Sequence, residues 1–119
     1  MISVGDLNPR LIAFLQGHFP LIDLASVTLT FRDPWTGSDG LTWGRKITLR
    51  PTYDGQLATL QPNAIEMLCH ELTHVEQFAG KFFWPVFYLF RRRELEARAY
   101  QRARELRALW ETEFGAPPQ

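Results

Sequence analysis

Two of the chain's three histidines, His70 and His74, stand four positions apart in the run LCHELTHVEQ, residues 68–77, with Glu71 directly after the first. On a helix, residues four apart lie one above the other on one face, so both imidazoles can aim at a single point. The run reads as the middle of a helix from about Pro62 to Ala79, since Pro62 suits the first turn and Gly80 a stop. Leu68, Leu72 and Val75 give that helix the apolar stripe that buries its other side.

The flanking sequence divides into short elements. LNPRLIAFLQGHFP, residues 7–20, reads as a first helix of about three turns, with Asn8 as cap, Pro9 at the first helical position and Gly17 with Pro20 ending it. ASVTLTFRD, residues 25–33, alternates with Val27, Leu29 and Phe31 on one face, the period of a half-buried strand. Turn residues in DPWTGSDG break it, and LTWGRKITLRP, residues 41–51, alternates again until Pro51 ends the ladder. These two strands are expected to form an antiparallel pair, and TYDGQLATLQP, residues 52–62, reads as a connection. KFFWPVFYLF, residues 81–90, is a dense apolar segment broken by Pro85 and too short to span a bilayer. It is expected to be a packed connection between helices, with a pocket wall, a lid or an interfacial anchor as alternatives. From Val86 to about Glu113 the pattern is helical and bent near Arg91–Arg93, with Leu95, Ala99, Leu106, Leu109 and Trp110 as the buried stripe. The tail, 115–119, is expected to fray.

At 119 residues the chain has room for one core, so a single domain over 1–119 is expected. Thirteen basic residues balance thirteen acidic ones, so the field of the whole molecule gives no reason to expect nucleic acid or an anionic membrane as partner. The one cysteine, Cys69, excludes an intramolecular disulfide and reads as a small buried hydrophobe. The N-terminus lacks a charged segment followed by an apolar one, so a cytoplasmic location is expected, with export by a non-classical route compatible with it.

Neutral imidazole nitrogens are ligands that Zn2+ takes readily. Glu71 lies too far round the helix to be a comfortable third ligand but can reach a water on the metal, which makes it the natural general base. Zinc lowers the pKa of a bound water to about 7, and the chemistry that follows is hydrolysis of a polarised amide. A catalytic site needs a third protein ligand. His18 reads as a surface or capping residue, whereas RRRELEARAYQRA offers Glu94 and Glu96 on the next helix. These two lie roughly 200° apart around a helix, so only one can face the histidines. Glu96 is nearer the inward stripe, and Ala99 and Ala103 on its side let the helices approach. Glu94 is expected to pair with a neighbouring arginine.

LCHELTHVEQFAG followed some twenty residues on by ELEARAY resembles the small HExxH…E zinc metallopeptidases of the gluzincin clan, in particular the single-domain minigluzincins and related short bacterial peptidases. The resemblance covers roughly residues 41–105. It implies an α+β fold: one N-terminal helix, a small antiparallel or mixed sheet, the HExxH helix and a long C-terminal helix carrying the third ligand. It implies His70, His74 and Glu96 as metal ligands, Glu71 as base, and a peptide or protein as substrate. Glu96, Ala99 and Tyr100 fit the clan's spacing, with Tyr100 where an aspartate is usual, so Tyr100 would support a histidine through its hydroxyl. Glu94, Ala97 and Arg98 fit the same spacing. WGRKITLRP looks like the strand that edges the cleft and pairs with the substrate backbone.

Gln77 resembles a polar residue that supports a histidine ligand. The arginines of the last helix are interleaved with Glu94, Glu96, Glu105 and Glu111, so a salt-bridged exposed helix is expected rather than a nucleic-acid surface. Three readings follow: a zinc peptidase in which Tyr100 assists the oxyanion, a zinc-stabilised binding module that is catalytically silent, and a latent enzyme whose terminal segment covers the cleft. Glu71→Gln separates the first from the second.

Overall fold

The computed structural model describes residues 1–115. Asn8 and Pro9 start α1 (Pro9–His18) as their chemistry dictates, the Asn8 side chain accepting the Arg10 N–H at 2.9 Å. Leu11, Phe14 and Leu15 form its buried side, and Phe14 meets Trp110 of the last helix edge to face at 5.2 Å. Four strands form where two were expected: β1 (Ile2–Ser3), which was not anticipated, β2 (Thr28–Phe31), β3 (Gly40–Trp43) and β4 (Lys46–Leu49) lie in the order β1-β2-β4-β3.

The stretch expected as one strand over residues 41–51 is therefore a hairpin, bent at Gly44, whose φ of 64° suits glycine at the first place of a two-residue loop. The hairpin reverses the chain, so β4 runs parallel to β2, and the antiparallel pair expected there is replaced by β1–β2 and β3–β4. This has a consequence for the cleft. β4 is paired on both sides and cannot offer its backbone to a substrate, as was expected of WGRKITLRP; β3 is the edge strand on that side of the sheet. Register puts Thr42 and Gly40 of β3 opposite Ile47 and Leu49, so they share the sheet face that looks towards the helices.

Residues 52–58, expected as a connection, form α2 (Thr52–Ala58), which buries Tyr53 and Leu57 at helical spacing. α3 (Pro62–Phe78) packs between the sheet and α4 (Trp84–Phe114), and α4 bends at Arg91, whose φ of −116° and ψ of 16° leave the helical region. Ala99 and Ala103 are buried between Leu95, Leu106 and Trp110. Leu109, expected in that stripe, is half exposed, and Ala103 takes the inward position. The segment 82–90, expected to be a packed connection, leaves Phe82, Phe83, Val86, Leu89 and Phe90 in solvent. Arg102 ties three helices together, donating to Glu76 of α3 and to the His18 carbonyl of α1. The whole is an α+β domain of helices over one face of a mixed sheet. Among the described residues no helix is long and apolar enough to cross a membrane. Gly115 caps α4 through its N–H to the Glu111 carbonyl; the remainder of the tail expected to fray lies outside the described residues.

Candidate metal centre

The central turns of α3 are inside the molecule, because the sheet covers one flank and α4 the other. His70, Glu71 and His74 are 4–5% exposed, so HELTH is no solvated helix face. A buried polar cluster costs free energy unless its members satisfy one another or a ligand. Glu96 reaches across from α4: its Oε1 lies 3.0 Å from His70 Nε2 and 3.1 Å from His74 Nε2. One ligand atom from each of the three residues falls within 4.8 Å of the others. Tetrahedral ligands at zinc–nitrogen and zinc–oxygen distances of about 2.0–2.1 Å stand roughly 3.3 Å apart, close to the two Glu96–histidine separations, which makes these three side chains a candidate metal-binding group.

Proton placement points the same way. The Gln77 side-chain oxygen sits 2.8 Å from His74 Nδ1, and the Gln77 amide donates to the Leu95 carbonyl at 3.1 Å, which fixes which end of Gln77 faces the ring. Nδ1 of His74 thus carries a proton towards Gln77, and its Nε2 is left with a lone pair for a cation. Without a cation, a neutral His74 turns an acceptor nitrogen towards Glu96 Oε1, whereas neutral His70 can donate to it from Nε2. Burial lowers the pKa of His74, but the hydrogen bond and charge of Glu96, with Glu71 and Gln77, raise it on balance. Burial likewise pushes the Glu96 carboxyl up, and the bonds from His70, His74 and Tyr88 outweigh it and hold the group well below the usual carboxylate range. His70 Nδ1 is buried with no hydrogen-bond partner among the described residues. The Tyr100 ring at 4.2 Å and the His74 ring at 4.9 Å pack on that imidazole.

Glu71 turns to the other wall. Its Oε2 accepts a hydrogen bond of 2.6 Å from the Thr42 hydroxyl, which β3 register aims inward, while Oε1 lies 4.0 Å from His70 Nε2. Burial raises the Glu71 pKa against the Thr42 bond and the two histidines, which lower it. A Cβ at Gly40 would stand 3.1 Å from Oε1 and 2.9 Å from Leu49, so a glycine on this strand keeps the carboxylate's free oxygen uncrowded. Above these groups opens a cleft of about 650 Å³ walled by Trp35, Trp43, Phe78, Trp84, Tyr88 and Tyr100.

Of the residues expected in the site, His70, His74, Glu96 and Glu71 come together. Tyr100 joins them differently: its ring packs on His70, and its hydroxyl bonds no group among the described residues. Glu94 stands apart, paired with Arg91 at 2.5 Å and Arg98 at 2.9 Å. His18 is remote, packed at a tilt against Phe14. Cys69 is fully buried, and desolvation pushes its thiol up to about 12. Thr42, Gly40 and Tyr88 were missed. Tyr88 donates to Glu96 Oε2 at 2.6 Å, turning Oε1 to the histidines, and burial beside that carboxylate takes its own pKa to about 12. Its position eight residues before Glu96, two turns back, was the available signal. No family model, curated protein or solved structure matches the chain.

Proposed function

We propose that the chain is a zinc-dependent peptidase of the HExxH…E kind, akin to the gluzincin clan, with His70, His74 and Glu96 holding the ion. The observation that carries this reading is the convergence of those three side chains beside the carboxylate of Glu71 at the floor of an open cleft. Zinc bound there would supply a Lewis acid for the scissile carbonyl and acidify a water. Glu71 would act as the general base through Oε1, because Oε2 is engaged by Thr42. Its raised pKa suits a base that later passes the proton to the leaving amine. Tyr100 faces the same cleft with an unengaged hydroxyl, a donor available to the oxygen on which charge develops. The aromatic walls favour bulky apolar side chains in the substrate, and the open edge of β3 offers main-chain partners to an extended peptide.

The test is hydrolysis of a mixed peptide pool by zinc-loaded protein and by Glu71→Gln. The variant is expected to keep one zinc per chain and lose about 10²- to 10⁴-fold in turnover. Full zinc occupancy with no hydrolysis by the unmodified protein would replace the peptidase with the silent binding module.

A further inference from the structure

Lys81 to Arg93, KFFWPVFYLFRRR, holds four cations and no carboxylate in a chain whose formal charge is zero. The apolar members of its outer side are uncovered: Phe82 is 94% exposed, Phe90 80%, Leu89 72%, Val86 54% and Phe83 48%. Single exposed hydrophobics are ordinary, but a contiguous set of five is not. The inner side explains why the set is held out rigidly. Trp84 stacks on Phe78 and meets Trp43 edge-on, both at 4.8 Å, and Tyr88 is bonded to Glu96. The bend at Arg91 then sets residues 84–90 off from the rest of α4.

We propose that this face docks the protein on an anionic lipid bilayer, with the phenylalanines and Leu89 seated at the headgroup boundary and the cations against lipid phosphates. The charge pattern argues for this occupant. Among the described residues Arg93, Arg92 at the cleft wall and Lys81, which donates to the Gln77 carbonyl, pair with no carboxylate, and they stand at both ends of the aromatic run. Cations flanking an aromatic and leucine face are the composition of helices that lie in a membrane interface. Phe82 and Phe90 are exposed by three-quarters or more and line neither described cleft, and a fluid bilayer receives such side chains without a complementary shape. Pairing with a second copy would set one cluster of cations against another, since no acid lies between Lys81 and Arg93. Trp84 and Tyr88 of the same short helix wall the cleft, so docking brings the cleft mouth close to the membrane surface. The proposal uses neither zinc nor turnover and stands apart from the peptidase reading.

Flotation of the full chain with vesicles of phosphatidylcholine alone, and of phosphatidylcholine with phosphatidylglycerol, tests it. The protein is expected to float with the mixed vesicles, weakly or not at all with the neutral ones, and to be released by added salt. Phe82→Ser, Leu89→Ser and Phe90→Ser combined should lower partition at least about tenfold with an unchanged circular dichroism spectrum. Arg93→Glu, which alters no apolar contact, should weaken binding to the mixed vesicles alone. Absence of flotation with either vesicle, equal binding to both, or binding that survives both variants overturns the proposal. Self-association dispersed by the triple variant, with no vesicle binding, overturns it in favour of a second copy.

Discussion

α3 and the first two turns of α4 are both rich in apolar residues and both open with a proline in the first turn, yet they end on opposite sides of the protein surface. α3 buries twelve of its seventeen residues, among them His70, Glu71, Thr73 and His74. Residues 84–90 bury none completely and leave three of their apolar side chains, Val86, Leu89 and Phe90, largely in solvent. The difference is one of neighbours. α3 has the sheet on one flank and α4 on the other, whereas among the described residues the start of α4 meets the fold through Trp84 and Tyr88 on one side. Burial alone therefore says little about purpose; the deviations do. Polar groups kept inside and apolar groups kept outside each cost free energy, and each is where a binding partner is proposed.

The comparison is tested most directly at the candidate metal centre. Elemental analysis should find one zinc per chain in the unmodified protein and none in Glu96→Ala, which leaves two histidines and no third ligand. Glu94→Ala should keep the ion, because its carboxylate is already taken by Arg91 and Arg98. Zinc lost from both, or from neither, would remove the reason given for burying polar groups in α3. The next effect is on packing. Leu68 is fully buried, so Leu68→Ala should lower unfolding free energy by about 2–5 kcal/mol in denaturant titration. A smaller change is expected at Gln77. Removing the group that orients His74 in Gln77→Ala should weaken zinc about 10- to 100-fold in competition with a chelator, with the helix intact. No weakening would mean that the His74 ring is held by Phe78 stacking instead.

The same two regions show what the sequence reveals and what it hides. The HELTH helix was readable because seventeen residues with caps and a stripe outweigh any local ambiguity, and the angle round the next helix was enough to prefer Glu96 to Glu94. The bend at Arg91 was readable too. α2 was not: Thr52–Ala58 is seven residues with a glycine inside, and Tyr53 with Leu57 are too few to set a period. The hairpin at Gly44 was hidden because alternation continues across it on both sides, so the strand pairing and the edge position of β3 went with it. Thr42 could be assigned to Glu71 only once register placed it on the inward face. The exposure of 82–90 was invisible for the opposite reason. Nine apolar residues read as core, and nothing local says that no element lies over them.

The smallest expected effect tests that last point most sharply. Phe82 precedes α4, lies in a turn and is 94% exposed, touching Phe83 edge-on at 5.4 Å. Phe82→Ser removes little that folding had buried, so its effect on unfolding free energy should fall within about 0.5 kcal/mol. An exposed aromatic contributes through its burial, and here almost none of its surface changes environment when the isolated chain folds. Denaturant titration at two protein concentrations makes the result informative. A loss well above about 1 kcal/mol, growing with concentration, would mean that Phe82 is covered by another copy in solution. The contrast between a closed α3 and an open α4 would then belong to the single chain alone. A loss near zero at both concentrations leaves the phenylalanine without a folding role, as expected of a side chain kept for a surface that is not protein.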